Sequence, residues 1–177
     1  MATKRIRIKN LSVSEVEKAI KQIEAYKQSL INKSVRFCTE LIALAEATAK
    51  AKISESPLGP YITVTTEINP TQTGCNAVLI AVGENKSSDY GTINTLLLVE
   101  FGAGIYHNAT PNPWAGEFGY GVGTFPGQTH AFEQGWWYPK EDGTWGYTHG
   151  VKATMPMYNA STEMLLNIEK LARKAFK

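Results

Sequence analysis

A chain of 177 residues with 43% hydrophobic and 19% charged side chains has the size and composition of one domain that fills its own core. Its two cysteines, Cys38 and Cys75, stand in no CxxC or Cys/His spacing, which excludes a disulfide scaffold and a zinc-ribbon module. The longest purely apolar run, residues 77–82, is far below the roughly 20 residues that cross a bilayer, and residues 1–5 carry no hydrophobic signal region, so the expectation is a protein made in the cytoplasm with no membrane partner.

The net charge of +2 hides a segregation. Residues 1–52 carry +6, residues 53–150 carry −7 and residues 151–177 carry +3. Solvated helical faces account for basic ends of this kind, since Lys and Arg are good helix formers. The sharper alternative is complementarity between copies of the chain, or a wall facing nucleic acid. No nucleic-acid-binding motif accompanies the charge.

In chain order, residues 4–9 alternate basic and apolar side chains with period two, which predicts a short strand or arm. Ser14 and Glu17 form a capping box, and Val16, Ile20, Ile23, Leu30, Phe37, Leu41, Leu44 and Ala45 then follow at three- and four-residue spacing to about Lys52. A continuous helix of that length spans about 55–60 Å, more than a domain of this size covers. Either it breaks near residues 31–34, or part of it packs on something outside the chain.

Pro57, Gly59 and Pro60 end the helix. Residues 61–68 and 76–82 are β-branched and apolar, with a turn at 69–74, and predict a hairpin. Residues 96–101 are so continuously apolar that they predict a third strand, central in a sheet covered on both faces. Residues 102–150 are then unusual. The span 101–150 holds 12 of the 18 aromatic residues, and 102–150 holds 11 of the 15 glycines. A connection this long is functional or held by a partner. Within it, residues 139–144 predict a hairpin tip with Asp142-Gly143 as the turn, bringing two aromatic flanks together. Pro156 fits the first turn of a last helix with one apolar stripe, Ala160, Met164, Ile168, Leu171, Ala172 and Ala175.

Little in the sequence points to catalysis. His107, His130 and His149 lie in the aromatic region with no HxH or HExxH, and Glu100, Glu117, Glu133, Glu141 and Asp142 are too scattered to complete a ligand set. Residues 119–123, Gly-Tyr-Gly-Val-Gly, match no phosphate-loop pattern, and there is no GxSxG. One hydrolase reading uses Glu100 or Glu133 with a nearby histidine. The five Asn-x-Ser/Thr sequons read as chance. Trp114, Trp136, Trp137, Tyr138 and Trp145 suit a protein interface or, alternatively, stacking on sugar rings.

Residues 99–104, Val-Glu-Phe-Gly-Ala-Gly, after an apolar run resemble the VEFG(T)G signature of the tail-completion, or minor tail component, family of long-tailed bacteriophages. Residues 149–160 resemble that family's closing segment, in which HG(I/V)xAxPFM leads into the last helix. The carried-over motif residues are Glu100, Phe101, Gly102, His149, Gly150, Pro156 and Met157. Met155 and Met157 flank Pro156 where the family more often has Pro-Phe-Met, and residues 103–144 form an unusually long aromatic insertion.

The resemblance implies a structural virion protein that completes the tail and joins it to the head, with no enzymatic activity and no cofactor or metal. It implies a homo-oligomeric ring, six copies by analogy with tail symmetry, against the head–tail connector, tail terminator and tail tube, and near genomic DNA. The expected fold is a single α+β domain: a small, mostly antiparallel sheet packed on the long N-terminal helix and the C-terminal helix, with the aromatic insertion as a loop. Residues 1–52 are its basic helical segment, 53–101 its sheet, 102–150 the insertion and 151–177 the last helix. In this picture Trp114, Trp136, Trp137, Tyr138 and Trp145 anchor neighbours, and Lys4, Arg5, Arg7 and Lys9 reach an acidic surface or the DNA channel. The alternative function is a carbohydrate- or cell-wall-binding module.

Overall fold

A computed structural model of the protein describes residues 5–8, 12–88, 91–104, 112–118, 134–140 and 142–177. One uninterrupted helix, α1 (Val13–Ser54), runs for 42 residues, about 63 Å at the usual rise. Of the two alternatives left by the sequence, a break at residues 31–34 does not occur and the helix is continuous. The Ser12 side chain caps the helix by accepting from the Glu15 N–H, so of two overlapping Ser-x-x-Glu boxes the earlier one starts the helix, not Ser14 with Glu17. The arm before it is not a strand at residues 5–8, where Arg5 and Arg7 are exposed. Lys4 and Lys9 lie outside the described residues.

After a 3-10 turn at Gly59–Tyr61, β1 (Ile62–Pro70) and β2 (Cys75–Gly83) form the expected antiparallel hairpin, with Val64 opposite Ala81 and Thr66 opposite Leu79. Its inner face packs on α1. β3 (Asn85–Ser88) and β4 (Gly91–Asn94) make a second, shorter ladder.

Residues 96–101 are helix, not the expected central strand: α2 spans Thr95–Phe101. The Asn94 side chain accepts from the N–H groups of Leu96 and Leu97 at 3.0 and 3.4 Å, satisfying two donors that a strand would have spent on a neighbour. Gly102 stops the helix at φ 78°, its N–H donating to the Leu98 carbonyl at 2.8 Å. The run is continuously apolar because this short helix is buried on most of its surface, including Leu98, Val99 and Phe101.

The aromatic insertion is not a structureless loop. β5 (Ala103–Gly104) pairs with β8 (Gly150–Val151), so its two ends are zipped together, with Ala103 opposite Val151 and Gly104 opposite Gly150. Between them lie a 3-10 turn at Ala115–Phe118 and the hairpin of β6 (Trp136–Pro139) and β7 (Trp145–Thr148). Among the described residues the strands form four two-stranded antiparallel ladders.

The last helix, α3 (Pro156–Ala175), begins with Pro156 in its first turn as the sequence predicts. It packs antiparallel on α1. Phe176 lies beside Phe37 with ring centroids 6.3 Å apart, Lys174 pairs with Glu40 at 3.0 Å, and Ala160 meets Ala45 and Ala49 at the other end. These three alanines are fully buried, with Val64, Leu79, Met157 and Met164 packed around them. Small side chains let the helices approach closely enough for the hairpin to close over both. Of the expected α3 stripe, Ala160 and Ala175 are buried and Ile168 is exposed. The fold is therefore α+β, with a long N-terminal helix, a short buried helix, a C-terminal helix and small antiparallel ladders.

Lys33 Nζ donates to the carbonyl oxygen of Lys177 at 2.8 Å, which fixes where α3 stops along α1. The N-terminal part of α1 projects past that point, and every residue from 20 to 30 is exposed. The thiols of Cys38 in α1 and Cys75 at the start of β2 are free and both half-buried. Cys38 Sγ donates to the Cys75 carbonyl at 3.6 Å, and burial, reinforced by Cys75, pushes its thiol pKa up.

Candidate functional site

Two features gather the residues singled out in the sequence. The first is a buried junction centred on Glu100. Near the C-terminal end of α2 the Glu100 side chain is only 6% exposed. Oε2 accepts from the Met157 N–H at 2.8 Å, and Oε1 accepts from the Tyr158 N–H at 3.0 Å and from Asn112 Nδ2 at 2.7 Å. Met157 and Tyr158 belong to the first turn of α3, whose N–H groups have no partner within the helix. Glu100 thus caps α3 from a distant part of the chain. Burial raises its pKa, against the opposing pull of the three hydrogen bonds.

Backbone contacts tighten the same junction. The Val99 carbonyl accepts from the N–H groups of Thr154 and Met155 at 2.9 and 3.3 Å. Met155, the residue before α3, sits in the left-handed region at φ 51°, and its carbonyl accepts from the backbone and side-chain nitrogens of Asn159 at 2.9 and 2.7 Å. At the β5–β8 ladder a Cβ on Gly104 would overlap the His149 carbonyl oxygen, and one on Gly150 the Ala103 carbonyl oxygen. Both have positive φ, so two requirements, space and conformation, select glycine there. The structure thus brings together Glu100, Phe101, Gly102, Gly150, Pro156 and Met157, with His149 adjoining.

Sequence reasoning missed Asn112. It is buried and bridges Glu100 to the turn that carries Trp114, accepting from the Trp114 N–H at 3.0 Å. The available signal was Asn112-Pro113, a pair that favours a turn start.

The second feature is the β6–β7 hairpin. Trp137 opposes Tyr147, and Pro139 opposes Trp145, so alternation puts Trp137, Trp145 and Tyr147 on one face. All three are exposed, Trp137 and Trp145 each 64%. Trp137 and Tyr147 rings lie 5.1 Å apart, and His149 meets Tyr147 edge-on at 5.2 Å. On the opposite face Tyr138 lies over Gly146, where a Cβ would come within 2.6 Å of its ring. The turn is held by Asp142, whose carboxylate accepts from the Thr144 N–H and hydroxyl at 2.9 and 2.6 Å, which lowers its pKa. Tyr147 OH donates to the Gln134 carbonyl. Trp136 is placed in β6 by its backbone, and its side chain lies outside the described part. Trp114 is exposed on its own turn.

His107, His130, Glu133 and Glu141 lie outside the described residues. Two surface concavities, of about 530 and 440 Å³, are lined by the C-terminal end of α3 and by residues around Ile53 and Pro57; Glu100 lines neither. Among the described residues no group of three His, Cys, Asp or Glu side chains is placed to hold a metal, and no helix is long and apolar enough to cross a membrane. No family model, curated protein or solved structure matches the chain.

Proposed function

We propose that this protein is a structural subunit of the neck or upper tail of a long-tailed bacteriophage, completing the tail and joining it to the head as a ring of identical copies, six by analogy with tail symmetry. The observation that carries this reading is the amount of apolar surface left open on two separate, well-formed elements: the projecting half of α1 and the aromatic face of the β6–β7 hairpin. A chain with a packed core that still exposes such surface is built to bury it against partners. The motif resemblance names the kind of assembly, and its two segments meet at the Glu100 junction.

In this reading Trp137, Trp145 and Trp114 anchor the connector, terminator or tube proteins next to the ring. Arg5 and Arg7, both exposed, extend the basic N-terminal segment towards an acidic neighbour or the DNA passing through the ring. The test is to introduce Trp137→Ala with Trp145→Ala into the phage genome and count particles by electron microscopy. Unjoined heads and tails are the expected products, and a normal yield of joined virions overturns the anchor role.

A second reading rests on the same aromatic face. Exposed aromatic side chains along one face of a strand pair also suit stacking on sugar rings. It predicts retention of the purified protein on peptidoglycan, lost in the same double variant, with no incorporation into virions.

A further inference from the structure

We infer that Cys38 and Cys75 are an oxidisable pair, which a low-molecular-weight disulfide such as glutathione disulfide joins into a bond that staples the tip of the β1–β2 hairpin to α1. The inference goes beyond the assembly reading and does not depend on it.

Two periodicities aim the thiols at each other. Cys38, Ile42, Ala45 and Ala49 recur at spacings of four, three and four, which keeps them on one face of α1, and the last three are buried there. Cys75 shares the inner face of β2 with Ala77 and Leu79, because Asn76 and Val78 between them are exposed. Leu79 packs on Ala45 and Ala49. From Leu79 back to Cys75 is about 13 Å of strand, and from Ala45 back to Cys38 is about 10 Å of helix. Hairpin and helix therefore travel in step, and the two cysteines arrive together although 37 positions separate them.

Cys38 Sγ donates to the Cys75 carbonyl at 3.6 Å, and the Cys75 side chain also acts on the Cys38 thiol by hydrogen bond and by charge. Thiols this close stand within side-chain rotation of the Cβ separation, about 3.5–4.5 Å, that a disulfide spans. The tip gives such a bond something to restrain, since residues 69–73 are all exposed and little packing holds them down.

Cys75 is the point of entry. Its Sγ donates to the Asn76 carbonyl at 3.6 Å in an exposed position, whereas burial, reinforced by Cys75, holds the Cys38 pKa up and makes Cys38 the slower nucleophile. The Cys75 thiolate attacks one sulfur of glutathione disulfide, expels one glutathione thiolate and leaves a mixed disulfide on Cys75. Cys38 then gives up its proton and attacks the Cys75 sulfur, expelling the second glutathione. One S–S bond breaks and one forms. Two electrons pass from the protein to glutathione, and the two protons lost by the cysteines end on the two released thiols.

The test incubates the native chain with glutathione disulfide and reads intact mass, peptide map and thermal unfolding. The expected product has lost two hydrogen atoms, carries no glutathione and yields one cross-linked peptide pair containing residues 38 and 75. Its unfolding midpoint is expected to rise by about 5–10 °C over the reduced chain, with slower amide exchange at the hairpin tip. Cys38→Ser is expected to hold one glutathione on Cys75, and neither it nor Cys75→Ser should show the rise. Two unmodified thiols, two glutathiones held without a cross-link, or a disulfide formed only between chains would each overturn the inference, and none of these bears on whether the protein joins a virion.

Discussion

The carboxylate of Glu100 and the N–H of Met157 meet at 2.8 Å across 57 positions of sequence, so the end of one helix caps the start of another. Removing that carboxylate leaves two helix donors and the Asn112 amide without acceptors in a buried place. Glu100→Ala is expected to cost about 3–5 kcal/mol of unfolding free energy in a denaturant titration. Glu100→Gln retains one acceptor oxygen but turns an N–H towards a backbone N–H, and is expected to cost about 1–3 kcal/mol. A Gln variant as stable as the native chain would remove Glu100 from the capping role.

The same burial sets a pH dependence. The folded state holds the Glu100 proton to higher pH than the unfolded chain does, so across that window the folded state binds more protons. The contribution is therefore fully present below the ordinary carboxylate range and declines as pH rises towards the raised value. Native stability, measured against Glu100→Gln as a function of pH, is expected to fall by at most about 1.4 kcal/mol per pH unit in that window and to level off above it. A difference that grows with pH would reverse the assignment.

Gly150 is expected to be the least replaceable glycine of the ladder that closes the insertion. Gly150→Ala forces a side chain into φ 124° and onto the Ala103 carbonyl, and should lower stability by about 2–4 kcal/mol. Gly116→Ala, where a Cβ meets nothing within 4 Å, should change it by no more than about 0.5 kcal/mol. Thermal unfolding of the pair checks the contrast.

These elements differ in how far the sequence announces them. The β1–β2 hairpin was legible because residues 62–68 alternate between an inner and an outer face with β-branched side chains, and period two is a local signal. α2 was not. A helix of seven residues buried on most sides has no amphipathic period, so an apolar run reads equally as strand, and only Asn94 ahead of it marks a helix start. Glu100 entered through the family motif, but its action on the α3 N-terminus depends on two segments 57 residues apart folding together, which no local pattern encodes. The hairpin turn at Asp142-Gly143 was readable from its turn residues; the zipping of Gly104 to Gly150 was not, since two-residue strands leave no periodic trace.

Thr154 offers a test in the stabilising direction. Its hydroxyl is buried and has no hydrogen-bond partner among the described residues, next to the Glu100 junction. Thr154→Val replaces that oxygen with a methyl group of similar volume while leaving the backbone N–H free to donate to Val99. The expected gain is about 0.5–1.5 kcal/mol in chemical denaturation. A loss of stability would mean that the hydroxyl is satisfied in solution.

The alanine seam where α1 and α3 touch makes the long helix a lever. From Ala45 to Val13 is about 48 Å of helix, so a tilt of about 5° at the seam swings the free tip by about 4 Å. Three fully buried methyl groups leave little play at that fulcrum. A bulkier residue at Ala45, Ala49 or Ala160 would therefore be felt most strongly not where it is made but at the far tip, as mis-aimed geometry in whatever that tip must reach.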